Sequence, residues 1–528
     1  MNRFEDIFAI VGIALYLFCF FLFSGNFSGG FQIIDGHDDL EIHHNIQEKG
    51  FAPALKSEMN SRLKVRFLPV YSFMRTIKVL LLQDNWKAYA MYNFLLSLST
   101  CIAFFVFARL LKYSVPAALI FVFFIFFGSE SWFNQATIFF RVACAELPGM
   151  LVLGLSLIAM VLSVRAKKLW NRWEVVFLLL TILNTMIKES FIIIIPALVS
   201  WKIWYYSEHK QLDLWTSFKK HVPFGLVLGS VLAIEIFILL FVIGTDKMGY
   251  VGVSAESSLL ANIISVSKKM ISDSAVSLTI YAIIVSSALI SSTLPESWWK
   301  SIKEYVLRYW VHFTLAIMIV LPQIVLYNKG AGMYERYKLP FMLGVGFLLL
   351  VFSDVVFKSS QRYAVLKLLF IMPFILFGYR NSVNAYANAV AYAHQSHLAE
   401  TVLSKIQLGR GEKIMILADP VLNFEWSISM QKYLAITGNL PEARIKAISL
   451  GQNDKLTLSK DPKYQQQLAS IHQEMAGLNY WQESFAAPQY VLIADTAMVN
   501  AYLMNQSWFM NNYNREEIGD MTLFSRHP

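Results

Sequence analysis

The chain has 528 residues, 56% of them hydrophobic and only 15% charged, with a mean hydropathy of +0.48 and a formal charge of +9. Soluble globular domains carry about a quarter charged residues, so a single soluble domain is excluded. A positive balance can signal nucleic acid. Here the Lys and Arg sit mostly in short loops between apolar runs, with no basic, aromatic-interleaved patch outside them, so nucleic acid is excluded as a partner.

The pattern predicts a polytopic α-helical membrane domain of about eleven transmembrane helices over residues 1–380, followed by a small α/β soluble domain over 381–528. A membrane helix needs about 20 largely apolar residues. The candidate spans are 7–24, 88–107, 114–128, 144–164, 173–187, 190–206, 222–244, 276–293, 309–327, 339–357 and 363–378, of which 114–128 and 173–187 are short. The first follows Met-Asn-Arg-Phe-Glu-Asp with no small-residue cleavage site after it, and reads as a retained span.

Residues 25–87 form the first long loop. Four carboxylates (Asp35, Asp38, Asp39, Glu41) and three histidines (His37, His43, His44) fall within ten of its residues. Carboxylates crowded at a low-dielectric boundary repel one another, so at least one is expected to have a raised pKa or to hold a cation. Asp35 could instead cap a short helix. Further along, residues 62–82 mix basic and bulky apolar side chains. They read either as a helix lying in the interface with Arg and Lys reaching toward headgroups, or as an ordinary packed loop helix.

Three more clusters follow. Residues 134–148 place Arg141 and Glu146 before an apolar helix; Met186 to Ser190 sets Lys188 and Glu189 between two apolar runs; and Met333 to Pro340 carries Glu335, Arg336, Tyr337 and Lys338. In the C-terminal part, strand-like runs at 413–418 and 490–494 end in Asp419 and Asp495, a final strand is expected at 522–525, and helical periodicity occupies 427–437 and 462–477. Acids at strand ends can bind ligands, but no glycine-rich fingerprint accompanies them. The three cysteines (Cys19, Cys101, Cys144) lie in or beside apolar spans, so cysteine usage does not report the compartment.

With the N-terminus inside, the inner short segments carry 17 Lys and Arg against 8 in the outer ones, which favours that orientation. An odd number of spans then puts all four clusters and the C-terminal domain on one outer face. Charges at span ends are often anchors, but acids and bases gathered from four loops on one side describe a cavity. Its cations suit a phosphate attached to a lipid, and a carboxylate there suits activation of a hydroxyl.

These motifs resemble the class C (GT-C) glycosyltransferases, polytopic enzymes that take a sugar from a polyprenyl-phosphate carrier. Asp38-Asp39-Leu40-Glu41-Ile42-His43 looks like the acidic pair of their first outer loop. Arg141 to Leu157 and Lys188-Glu189 through Pro196 resemble segments of protein O-mannosyltransferase-like members, as Glu335-Arg336-Tyr337-Lys338-Leu339-Pro340 resembles an Arg-Tyr-x-x-Pro run opening a late span. Asp39 stands where Glu is more usual, and Gly36-His37-Asp38 is similar to a variant in other bacterial membrane proteins.

The resemblance implies an inverting hexosyl or pentosyl transfer from a polyprenyl-phosphate sugar to a hydroxyl of a glycan, lipid or protein. Asp38 would be the base and Asp39 its catalytic neighbour. Arg336, Lys188, Arg66 and Tyr337 would hold the donor phosphate. Asp35, Glu41, His43, Arg141, Glu146, Glu189 and Glu335 would support the site or the acceptor. No cofactor is fixed by it, although hard oxygen donors would suit Mg²⁺ or Mn²⁺. The implied location is a bacterial inner membrane with the C-terminal domain periplasmic, or an endoplasmic-reticulum membrane of the same topology. The alternatives are a polysaccharide polymerase, ligase or other membrane transferase, a flippase or transporter of a lipid-linked substrate, and a non-catalytic assembly subunit.

Overall fold

The computed structural model describes residues 3–64, 66–129, 135–243, 264, 267–268, 273–291, 298–326, 335–359, 364–406, 413–418, 424–439, 443–447, 488–493, 511–519 and 521–527. Long apolar runs become helices because a backbone in lipid must satisfy its own hydrogen bonds. The first is α1 (Arg3–Phe23), and three shorter helices of the first loop follow: α2 (Gly36–Lys49), α3 (Phe51–Leu63) and α4 (Pro69–Leu82). Gly50, at φ 83, ends α2 in a backbone conformation that side chains disfavour and lets α3 turn back. The membrane domain continues through α5 (Trp86–Leu110), α6 (Val115–Phe126), α7 (Glu146–Arg165), α8 (Arg172–Thr185), α9 (Ile195–Lys210) and α10 (Leu214–Phe237). It closes with α11 (Ser274–Ser291), α12 (Trp298–Leu326), α13 (Leu339–Lys358) and α14 (Ala364–Lys405).

All eleven expected spans fall on helical segments, and the chain is a multi-pass membrane protein. Among the described residues, eight helices are long and apolar enough to cross a membrane. The remaining spans fall on α6, α8 and α11, which are shorter; α6, with 12 residues, rises only about 18 Å. Its phenylalanines instead pack inward, Phe121, Phe124 and Phe126 being buried. Helix α13 is the centre of the bundle, against α6, α11 and α12. Gly346 permits this packing, since a Cβ there would lie 3.0 Å from Ile125 Cγ1. The last helix runs unbroken from Ala364 to Lys405, and its end, at Leu398, Ala399 and Val402, packs into the C-terminal core.

Beyond it lies a five-stranded sheet in the order β2-β1-β3-β5-β4, built from β1 (Ile414–Ala418), β2 (Ala443–Ala447), β3 (Tyr490–Ile493), β4 (Tyr513–Ile518) and β5 (Met521–Arg526). Strand β1 is parallel to β2 and β3, with Ile416 opposite Leu492, and β5 is antiparallel to β3 and β4. Helix α15 (Phe424–Ile436) links β1 to β2, the crossover that parallel strands require. The α/β expectation and its three strands are thus present. Asp419, Asp495 and the helix expected at 462–477 lie outside the described residues.

Two large apolar cores form among the described residues, beside a small one of Leu68, Tyr71, Ala145 and Ile187. One fills the bundle, and the other joins Phe31, Ile33 and Leu40 of the first loop to Ile416, Tyr433 and Leu492 of the C-terminal domain. Phe31 stacks on Tyr433 with ring centroids 4.5 Å apart. The acidic start of α2 is therefore held between the bundle and the C-terminal domain.

Candidate active site

Asp38 and Asp39 occupy the first turn of α2, where the helix dipole favours negative charge. Asp39 is fully buried; its Oδ1 accepts from Arg75 Nε at 2.5 Å and its Oδ2 from Lys78 Nζ at 2.6 Å. Lys78 also donates to the carbonyl of Val142 at 2.7 Å. Asp38, about a third exposed, accepts at Oδ2 from Arg62 (2.8 Å) and Arg75 (3.0 Å). Burial pushes the Asp38 carboxyl up, but Arg75, His37 where acid has protonated it, and Arg62 outweigh it and hold the group well below the ordinary carboxylate range. The expected crowding is thus relieved by side-chain cations. Burial alone would lower Arg75, yet Asp39 and Asp38 raise it well above its usual value. For Lys78 burial wins over Asp39, and its pKa is lowered.

The structure corrects one reading of residues 62–82. Helix α3 stops at Leu63, α4 starts with Pro69, and Arg75 and Lys78 turn inward to Asp39 while Phe73, Leu80 and Leu81 face out. Tyr71, Arg75 and Lys78 recur at i, i+4 and i+7, one face of a helix. That spacing is the signal that would have named all three. Arg66 lies in the turn before α4, its backbone N–H bonded to the Arg62 carbonyl at 2.6 Å.

Asp35 stands at the N-cap position of α2 with φ 64 but makes no side-chain cap, and so does not serve as the expected cap. Its Oδ2 accepts from Arg141 Nε at 2.7 Å. Gln32 holds the same segment through the Phe140 carbonyl (2.5 Å) and the Val142 N–H (3.0 Å). A narrow cleft of about 20 Å³ opens beside this network, walled by Tyr71, Arg75 and Lys78 of α4, Tyr92 and Asn93 of α5, and Arg141. Two buried groups on its wall, the Tyr71 hydroxyl and Arg75 Nη2, have no hydrogen-bond partner among the described residues.

The other clusters join at the rim. Cys144 lines the cleft and donates to Glu146 Oε2 at 3.1 Å. Glu146 Oε1 lies 2.8 Å from Lys188 Nζ, which sits 5.2 Å over the Tyr337 ring. One residue each from the second, third and fourth clusters thus meet. Glu189 opens the 3-10 turn Glu189–Ile194. The backbone of Glu335 and Arg336 lies in the turn Glu335–Lys338, and their side chains lie outside the described residues. His43 is buried, which lowers its pKa. Glu41 forms an ion pair with Lys432 of α15.

Among the described residues no three His, Cys, Asp or Glu converge as a cation's ligands would. Asp35, Asp38 and Asp39 each turn an oxygen to an Arg or Lys instead, so this donor set does not fit Mg²⁺ or Mn²⁺ and no step is assigned to one.

No family model matches the sequence, and no curated protein matches it. Solved structures do align along its length. ArnT from Cupriavidus metallidurans in the apo state covers 98% of this chain and 98% of its own at 12% identity, with a TM-score of 0.47. ArnT bound to undecaprenyl phosphate covers 98% and 97% at 12% identity, with a TM-score of 0.45. The Archaeoglobus fulgidus oligosaccharyltransferase tethered to an acceptor peptide covers 100% of this chain and 74% of its own at 10% identity, with a TM-score of 0.49.

Proposed function

We propose that the chain transfers a sugar from a polyprenyl-phosphate carrier to an acceptor hydroxyl, with inversion, at the cleft beside Asp38. The observation that carries this reading is the pairing of two unlike features. A carboxylate about one-third exposed stands at the start of α2, and Arg75, which holds it, also lines a cleft with a buried, unpartnered nitrogen next to the unpartnered Tyr71 hydroxyl. Unmet donors in a desolvated site favour a bound anion strongly. With Lys78 and Arg141 on the same wall, the charge of the cleft favours a phosphate.

In the reaction, the acceptor oxygen bonds to the anomeric carbon while the bond from that carbon to the phosphate oxygen breaks. The electron pair leaves with the polyprenyl phosphate, whose growing charge Arg75, Tyr71 and Arg141 stabilise. The hydroxyl proton passes to Asp38. Asp39, enclosed by Arg75 and Lys78, positions both cations rather than reacting. Lys188 and Tyr337 support the donor from the rim through Glu146 and Cys144, and the resemblance assigns Arg66 and Arg336 to the phosphate. Asp35 fixes Arg141, while the resemblance assigns Glu41, His43, Glu189 and Glu335 to the acceptor side. The cleft faces the outer side of a bacterial inner membrane, with the C-terminal domain periplasmic.

The test is release of undecaprenyl phosphate from a panel of undecaprenyl-phosphate monosaccharides. Purified protein in proteoliposomes is supplied with lipid, glycan and protein fractions of the source membrane as acceptors. Acceptor-dependent release that is lost in Asp38→Asn at normal yield is expected. Failure to consume any donor, or ion-gradient-driven movement of the intact lipid, would overturn the proposal in favour of a scaffold or a transporter.

A further inference from the structure

Asp38 by itself is a poor resting place for a proton. Two guanidinium groups lie against its Oδ2, and general bases work best with a pKa near the operating pH. Its other oxygen faces His37. His37 Nε2 lies 3.3 Å from Asp38 Oδ1, and on the far side of the ring Nδ1 lies 2.9 Å from Ser429 Oγ of α15.

The tautomer follows from counting donors. The Ser429 hydroxyl has one proton and donates it to the carbonyl of Ile33. Toward His37 it can only accept, so Nδ1 carries the hydrogen and Nε2 is left open toward Asp38. Two acceptors then face each other across a gap that one proton fills.

We propose that the proton taken from the acceptor hydroxyl comes to rest on His37 Nε2, handed across by Asp38, and that Ser429 of the C-terminal domain sets the tautomer that keeps this nitrogen open. This rests on Asp38 as the group facing the acceptor. The step balances: the O–H bond breaks as the sugar–oxygen bond forms, the proton crosses from Asp38 Oδ1 to Nε2, and it returns to water after product leaves.

The charges around the ring fit the role. Burial first, and Lys432 of α15 and Arg75 of α4 after it, lower the His37 pKa against Asp38 and Asp35, which raise it. The ring is therefore neutral and empty at neutral pH, while Arg75 and Arg62 hold Asp38 well below the ordinary carboxylate range. Ser429 is one of three contacts from a single stripe of α15, spaced i, i+4 and i+7. Glu425 lies 3.8 Å from Arg141, and Lys432 pairs with Glu41. The C-terminal domain thus completes the catalytic centre. Ser429 acts through His37 and is a positioning residue.

The experiment is ¹⁵N-imidazole NMR on the full-length protein, paired with the undecaprenyl phosphate release assay across pH. Expected in the wild type at pH 7.5 is the Nδ1–H tautomer of His37, mixed tautomers in Ser429→Ala, and the wild-type tautomer and rate in Ser429→Thr. His37→Gln should lower kcat by about a hundredfold with the donor KM unchanged, and remove the acid limb of the pH profile. An Nε2–H tautomer in the wild type, or an intact acid limb in His37→Gln, overturns the inference. If Asp38→Asn is inactive while His37→Gln is normal, only this inference fails. If Asp38→Asn is fully active, the transferase reading fails at its base.

Discussion

Replacing Asp39 by Asn tests the charge cluster that joins α2 to α4. Asp39 has no exposed surface, and its oxygens lie 2.5 Å from Arg75 Nε and 2.6 Å from Lys78 Nζ. At an effective dielectric of about 20 and with delocalised charge centres about 4 Å apart, each attraction is worth about 4 kcal/mol, most of it offset by removing the ions from water. Asn deletes the attraction but leaves the cations buried, so stability should fall by about 3–5 kcal/mol. Lys78 limits the loss, because burial already lowers its pKa and Asp39 is the main influence opposing that. Without Asp39 the lysine sheds its proton in the folded state, and the deficit shrinks as pH rises toward the ordinary lysine value. Thermal unfolding of the purified protein in one detergent, followed by tryptophan fluorescence, should show an apparent Tm lower by on the order of 5 °C or more, with a smaller gap at pH 9 than at pH 7. The triple variant Asp39→Leu, Arg75→Met, Lys78→Met should recover most of the loss, since apolar replacement of a buried ion cluster is often neutral. An Asp39→Asn protein within about 1 kcal/mol of wild type, or a deficit that grows with pH, would refute the cluster.

Tyr71→Phe removes a buried hydroxyl that has no partner among the described residues. It should hold or raise Tm while weakening undecaprenyl phosphate binding about fivefold to tenfold, as measured by thermophoresis, because one hydrogen bond to a charged group is lost. Lys188→Met takes the cation from Glu146, which is 2% exposed, and should cost about 3–5 kcal/mol, with Lys188→Met, Glu146→Leu restoring most of the Tm. Acid behaviour follows from the first loop. His37 is lowered in the fold, so charging it opposes folding, and stability should fall as pH drops through 6.5; His37→Gln should flatten that limb between about pH 7 and 5. Asp38 is lowered too, so its contribution is present above the ordinary value of 3.8 and lost as pH falls below it; Asp38→Asn should lower Tm throughout the neutral range and flatten the loss of stability below about pH 4.

Hydropathy is a local property, and whatever depends on it could be read from the chain alone. Each apolar run became a helix because lipid leaves the backbone no other way to satisfy its hydrogen bonds. The runs ending at Ala418, Ile493 and Arg526 became strands for the equally local reason of short β-rich segments between polar ones. The four polar clusters were visible because charge beside apolar spans is costly and stands out. Which charges meet was not visible. Asp39 finds its cations 36 and 39 residues away, on a helix whose Arg and Lys could equally have faced headgroups. Only the packing of α4 against α2, with Phe73, Leu80 and Leu81 turned out, decides between those faces. His37 and Ser429 are 392 residues apart, and no spacing rule links them. The tautomer of the ring beside Asp38 is set by a hydroxyl delivered from the far end of the chain, because a hydrogen bond depends on distance in space and not on distance along the sequence.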